Sequence, residues 1–109
     1  MYKIEGNHIT LVRGDTFVAD LEIYNPDMTV YTPDTGDVID FAMKRTVADR
    51  KPLIKKAIST SELKLIINPE DTKNLEFGNY LYDITLTKQN GTVDTFIPVS
   101  IFTLAMEVS

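Results

Sequence analysis

The sequence predicts an all-β fold: a two-layer β-sandwich of about seven or eight mostly antiparallel strands, with one short helix near residues 69–75. Three observations carry this. Apolar residues recur at every second position in several separate runs, which is the period of a strand with one buried face. Turn-forming residues, above all Arg13-Gly14-Asp15 and Asn90-Gly91, stand between those runs. The chain has 109 residues, 43% hydrophobic and 25% charged, which suits one domain spanning 1–109 with a single core. Strands apolar on one face hide that face against a second sheet; a small closed barrel satisfies the same periodicity.

Taken along the chain, Ile9–Val12 reads as the first strand and Arg13-Gly14-Asp15 as its reversal. From Thr16 to Ile23, Phe17, Ala19, Leu21 and Ile23 point one way and Thr16, Val18, Asp20 and Glu22 the other. Asn25 to Asp37, with Pro26, Pro33 and Gly36, reads as a surface loop with room for a short hairpin. Ile39, Phe41 and Met43 alternate with Asp40, Ala42 and Lys44. Leu53–Ile58 is ambiguous because Lys55 and Lys56 fall on opposite faces, while Leu63, Leu65 and Ile67 form a shorter strand. Asn68-Pro69-Glu70-Asp71 opens the helix, with a capping residue, Pro at the first helical position and acids in the first turn. Tyr80, Tyr82, Ile84 and Leu86 then alternate with Asp83, Thr85 and Thr87. Asn90-Gly91 predicts a type I′ hairpin to Val93–Ile97, and Pro98 marks a break or an edge position. Phe102, Leu104, Met106 and Val108 face inward in the last strand, opposite Thr103 and Glu107.

Composition removes several kinds of chemistry. There is no Cys, hence no disulfide, no thiolate nucleophile and no Cys-based zinc site. The single histidine, His8, would have to serve any Ser-based triad through Ser59 or Ser100, and no Gly-x-Ser-x-Gly context exists. A strand-edge role suits His8 better, and no catalytic residue is assigned. Asp34, Asp37 and Asp40 could gather round calcium, but their spacing is not that of an EF-hand, and Asp34 suits a turn. No metal or other cofactor is assigned. A net charge of −5 argues against nucleic acid. Six of the eleven basic residues (Lys44, Arg45, Arg50, Lys51, Lys55 and Lys56) cluster without interleaved aromatics, so they read as a solvated face. No apolar stretch approaches the ~20 residues of a membrane helix, and the N-terminus lacks the apolar core of a secretion signal. Both point to synthesis in a cytoplasm and to no membrane partner. Arg13-Gly14-Asp15 and Asn90-Gly91-Thr92 match an integrin tripeptide and a glycosylation sequon, but each is explained by its turn.

The order strand, Pro69-Glu70-Asp71-Thr72, Gly78, Tyr80-Leu81-Tyr82 resembles the corner between the sheets of immunoglobulin-like sandwiches, where a tyrosine hydroxyl ties the crossing to upstream backbone. A wider set of segments comprises Arg13-Gly14-Asp15-Thr16-Phe17, Gly36-Asp37-Val38-Ile39-Asp40-Phe41, Met43-Lys44, the corner itself, Gly91-Thr92-Val93, Ile97-Pro98 and Phe102-Thr103-Leu104. Together they resemble small tail proteins of phages and prophages of Gram-positive bacteria, and the N-terminal domain of phage baseplate upper proteins. The resemblance implies a non-enzymatic structural protein of a phage or prophage tail. It would be a baseplate-type docking module that binds other tail proteins and copies of itself, made in the bacterial host and carried in the virion. It transfers no catalytic residue.

Apolar residues without an inward place are the contact candidates: Met28, Val30 and Tyr31 in the long loop, and Ile66 and Leu81 on outward strand faces. The alternative reading is a carbohydrate-binding sandwich, against which the absence of Trp counts.

Overall fold

The computed structural model describes residues 2–106. Eight strands and one helical turn follow in the order β1 (Tyr2–Glu5), β2 (His8–Val12), β3 (Phe17–Asp20), β4 (Val38–Lys44), β5 (Ile54–Ile58), β6 (Lys64–Ile67), α1 (Pro69–Thr72), β7 (Gly78–Thr87) and β8 (Val93–Ala105). They form a six-stranded sheet, β1-β2-β8-β7-β4-β5, and a two-stranded sheet, β3-β6. All pairings are antiparallel except β2 with β8, which run parallel in the register Ile9 with Phe102 to Val12 with Ala105. The architecture is an all-β sandwich. With β3 beside β6 in one layer and β4, β7 and β8 adjacent in the other, it has the strand grouping of immunoglobulin-like domains.

The alternation does what it predicts. Ile39, Phe41 and Met43 on β4, Tyr80, Tyr82, Ile84 and Leu86 on β7, and Phe102 and Leu104 on β8 are all buried. Phe17, Leu65 and Ile67 face them from the small sheet. Phe102 is the peg between the layers. Its ring lies 6.4 Å from Phe17 of β3, 6.4 Å from Phe41 of β4 and 6.1 Å from Tyr82 of β7. Edge-to-face and tilted packing of this kind adds to burial because ring edges and faces carry opposite partial charge.

The Lys55–Lys56 ambiguity resolves in favour of Ile54 and Ile58 as the buried pair. Lys56 shares their face, and its ammonium is met there by Asp71 of α1 at 2.7 Å. The helical turn is held at its start by the Asn68 N–H donating to the Asp71 carboxylate at 2.8 Å. It stops at Thr72 rather than reaching residue 75: the Leu75 N–H donates to the Thr72 carbonyl, three residues back, at 2.9 Å, and the wholly buried Thr72 hydroxyl accepts the Gly14 N–H at 3.0 Å. Tyr80 closes the corner, its hydroxyl donating to the Glu76 carbonyl at 2.6 Å. The Tyr82 hydroxyl donates to the Asn7 carbonyl and fastens β7 to the β1–β2 turn.

Other expectations are corrected as well. The β7–β8 hairpin is not type I′. Lys88 and Thr92 are bonded across it at 2.8 Å, and the Gly91 N–H donates to the Lys88 carbonyl at 2.8 Å. Gln89 and Asn90 are therefore the central turn residues, and Gly91, at φ +92°, supplies the left-handed residue of a three-residue loop. Leu63 is not in a strand. At φ +52° it makes a left-handed turn bonded to Ser59, and β6 starts one residue later. The third strand ends at Asp20, with Ile23 keeping its buried place from the loop. Met106 lies past the end of β8 and is exposed, while Glu107 and Val108 fall outside the described residues. Finally, β1 is a strand that the alternation does not announce. Pro98 stays inside β8, at an irregularity in the β7–β8 register and beyond the reach of β2, so it removes no ladder bond on that side.

Candidate functional site

The contact candidates separate into three places. Met28 and Val30 sit on a miniature hairpin that projects from the long loop: Tyr24 bridges Val30, and the Asn25 N–H donates to the Thr29 carbonyl at 2.8 Å. Met28, at 75% exposure, is its tip. Ile66 lies on the outer face of the small sheet, directly across from the equally exposed Val18. Leu81 lies on the outer face of the six-stranded sheet.

Tyr31 is placed differently from its loop neighbours. It is half-buried against the core, and its hydroxyl donates to the Asp37 carboxylate. Asp37 also accepts the backbone N–H groups of Asp34, at 3.0 Å, and Gln89, at 3.2 Å. The Tyr31 hydrogen bond is the main reason that the Asp37 carboxyl is held below its usual range and that the Tyr31 phenol is pushed up to about 12. Lys88 stands 5.1 Å over the Tyr31 ring. This knot fastens the long loop to the β7–β8 hairpin, so Tyr31 serves the fold first. It also spends Asp37 on turn geometry, and the turn carboxylate is Asp37 rather than Asp34. Among the described residues, no group of three His, Asp or Glu side chains is arranged to hold a metal ion.

Leu81 has company. Ile101 is its cross-strand partner, and Val99 follows on β8. With Ala42, Lys44, Val47, Tyr82 and Asp83, Leu81 and Val99 line a shallow depression of about 200 Å³. Ile101 is 42% and Val99 57% exposed, so the outer face carries a contiguous apolar patch with Lys44 and Asp83 in its lining. The signal for Ile101 was present in the sequence: the parity that turns Phe102 and Leu104 inward turns Ile101 outward.

The other singled-out residues have structural partners. His8 Nε2 and Thr103 Oγ1 are 2.8 Å apart, and the Thr103 hydroxyl donates to Asn79 at 2.8 Å, so the His8 ring donates to Thr103. Ser100 donates to the Pro98 carbonyl and Ser59 bonds Ser61, leaving His8 with a threonine across the sheet instead of a serine nucleophile. Arg13 donates to the Leu75 carbonyl at 3.1 Å and covers the Phe77 ring at 4.1 Å, which makes Arg13-Gly14-Asp15 a built-in turn. Arg45 covers the Tyr80 ring at 4.6 Å and packs on Gly78, where a Cβ would stand 3.1 Å from its guanidinium. With Lys56 on Asp71, two of the clustered basic residues are thus engaged by the corner. Among the described residues, no helix is long and apolar enough to cross a membrane. Comparison of the chain with protein-family models, curated proteins and solved structures gives no match.

Proposed function

We propose that this chain is a non-enzymatic assembly module of a phage or prophage tail, a baseplate-type docking domain that acts through its surface. The observation that carries the reading is the apolar patch formed by Leu81, Val99, Ile101 and Val47 on the outer face of the six-stranded sheet. Such a face, backed by a packed core, is a rigid platform whose burial against another protein is favourable at roughly 25 cal/mol per Å² of apolar area. The segments that resemble tail proteins lie at the turns and core positions that hold this platform in shape, which is why the resemblance and the patch support one reading. The partners are other tail or baseplate proteins and copies of this chain. The depression lies between strands of a flat face and pairs no nucleophile with a base, so surface recognition is what it suits.

The test is incorporation. Tails are purified from a producing host that expresses either the unaltered chain or a Leu81→Asp/Ile101→Asp variant, and the chain is quantified by mass spectrometry. The reading expects the unaltered chain at fixed stoichiometry in the tails and the variant in the soluble fraction. Equal incorporation of both, or absence of both from tails, contradicts it. Heat on titration with cell-wall glycans would instead favour a carbohydrate-binding module.

A further inference from the structure

We propose that β1 is a self-pairing edge: two copies of this chain join antiparallel about a two-fold axis through Ile4, so that their six-stranded sheets run on as one. Tyr2, Lys3, Ile4 and Glu5 are all exposed, and among the described residues β1 pairs on one side only, with β2. A strand with an unpaired side presents backbone donors and acceptors that can extend a neighbour's sheet.

The geometry selects the register. Gly6, at φ +59°, and Asn7 form the two-residue turn between β1 and β2, with Glu5 opposite His8. In such a hairpin the residues flanking the turn are a hydrogen-bonded pair, and every second pair along the ladder is bonded likewise. Glu5 and Lys3 therefore spend their N–H and C=O groups on β2, while Tyr2 and Ile4 direct theirs outward. Pairing about Ile4 lets its N–H and C=O meet those of Ile4 in the second copy. It sets Tyr2 against Gly6, where no atom stands within 4 Å of the place a Cβ would take.

The same register places Lys3 of each copy opposite Glu5 of the other, in the non-hydrogen-bonded positions where side chains approach most closely. Within one chain these two already meet at 3.0 Å, but with their side chains 71% and 69% exposed the contact is highly solvated and open to exchange. Ile4, 46% exposed at the lip of the opening between the sheets, meets its own copy.

The other edges of the six-stranded sheet carry protection that β1 lacks. Self-pairing of β5 about Lys56 sets lysine against lysine, and the part of β8 beyond β2 contains Pro98 and the register irregularities. The inference deepens the self-assembly half of the proposed function. The two fail separately, since loss of β1 pairing leaves the outer-face patch intact.

The experiment is sedimentation of the full chain over a concentration series at low salt, with Lys3→Glu, Glu5→Lys, their equimolar mixture, and Ile4→Pro. The unaltered chain should dimerise reversibly. Each charge reversal alone sets like charges in both cross-pairs and should weaken dimerisation about tenfold or more. In the mixture, the Lys3→Glu chain is acidic at both positions and the Glu5→Lys chain basic at both. Opposite charges then face each other in every cross-pair, so a heterodimer should be recovered, which also shows that both variants fold. Ile4→Pro removes the outward N–H but no β1–β2 ladder bond, and should abolish the dimer while keeping the far-UV circular dichroism of the unaltered chain. A chain that stays monomeric throughout, a dimer indifferent to these changes, or a mixture that fails to recover overturns the proposal.

Discussion

Phe102 offers the sharpest test of how this fold is held. It is wholly buried, and its ring contacts reach β3 in one sheet and β4 and β7 in the other. Phe102→Ala removes the peg and leaves a cavity that neighbours from two layers cannot jointly fill. Buried Phe→Ala changes cost about 3–5 kcal/mol. A domain of this size has roughly 5–15 kcal/mol in total, so the variant should fold only marginally or melt far below the unaltered chain. With a guanidinium dependence of about 2.5–3 kcal/mol per molar, the unfolding midpoint should fall by about 1–2 M. Equilibrium denaturation followed by far-UV circular dichroism measures it, with Val99→Ala on the exposed face of the same strand as control, expected within about 0.5 kcal/mol of the unaltered chain. A midpoint change for Phe102→Ala below about 0.4 M, or one no larger than that of Val99→Ala, would refute the two-layer packing.

Four further outcomes follow from the same structure. Tyr80→Phe deletes the corner hydrogen bond to Glu76 and should cost about 1 kcal/mol, read as a drop of about 4–8 °C in the thermal midpoint. Gly91→Ala forces a Cβ into φ +92° and should destabilise by about 1 kcal/mol, whereas Asn90→Gly, at a residue without positive φ, should destabilise as well, where a type I′ turn would be stabilised by glycine there. The Asp37 carboxyl is held down in the folded chain, so its contribution is complete above the unfolded carboxyl value of about 3.9 and is lost as pH falls through the lower folded value. Asp37→Asn should therefore flatten the acid limb of a thermal midpoint against pH series. At the alkaline end, Tyr31, through its hydrogen bond to Asp37, and Tyr82, through burial, are raised to about 12, so their contribution is lost as pH climbs from about 10 towards 12. An alkaline limb unchanged by Tyr82→Phe would contradict that.

What was legible in the sequence was local and periodic. Ile39-Asp40-Phe41-Ala42-Met43 and Tyr80 to Leu86 declare their buried face because side-chain alternation is a property of the strand itself. Asn68-Pro69-Glu70-Asp71 declares a helix start, and Tyr80 declares the corner, for the same reason: cause and effect lie within a few residues. The parallel pairing of Ile9–Val12 with Phe102–Ala105 joins segments from opposite ends of the chain, and nothing in either run specifies it. Leu63 fits the period of two yet adopts a left-handed turn, because its N–H is taken by Ser59 and its carbonyl by Leu21. Lys56 looks out of place until Asp71, from a different element, arrives beside it. On the candidate site, Leu81 follows from parity alone. Its union with Val47 and Val99 depends on how β4, β7 and β8 lie together.

The central claim, that recognition resides on the outer face of the six-stranded sheet, is tested most directly by hydroxyl-radical footprinting of the chain free and within purified tails. The account predicts that Leu81, Val99 and Ile101 lose reactivity on incorporation while Met28 at the loop tip keeps its own. Protection confined to Met28 and Val30, or to Ile66 and Val18, with Leu81 and Ile101 unchanged, would contradict it.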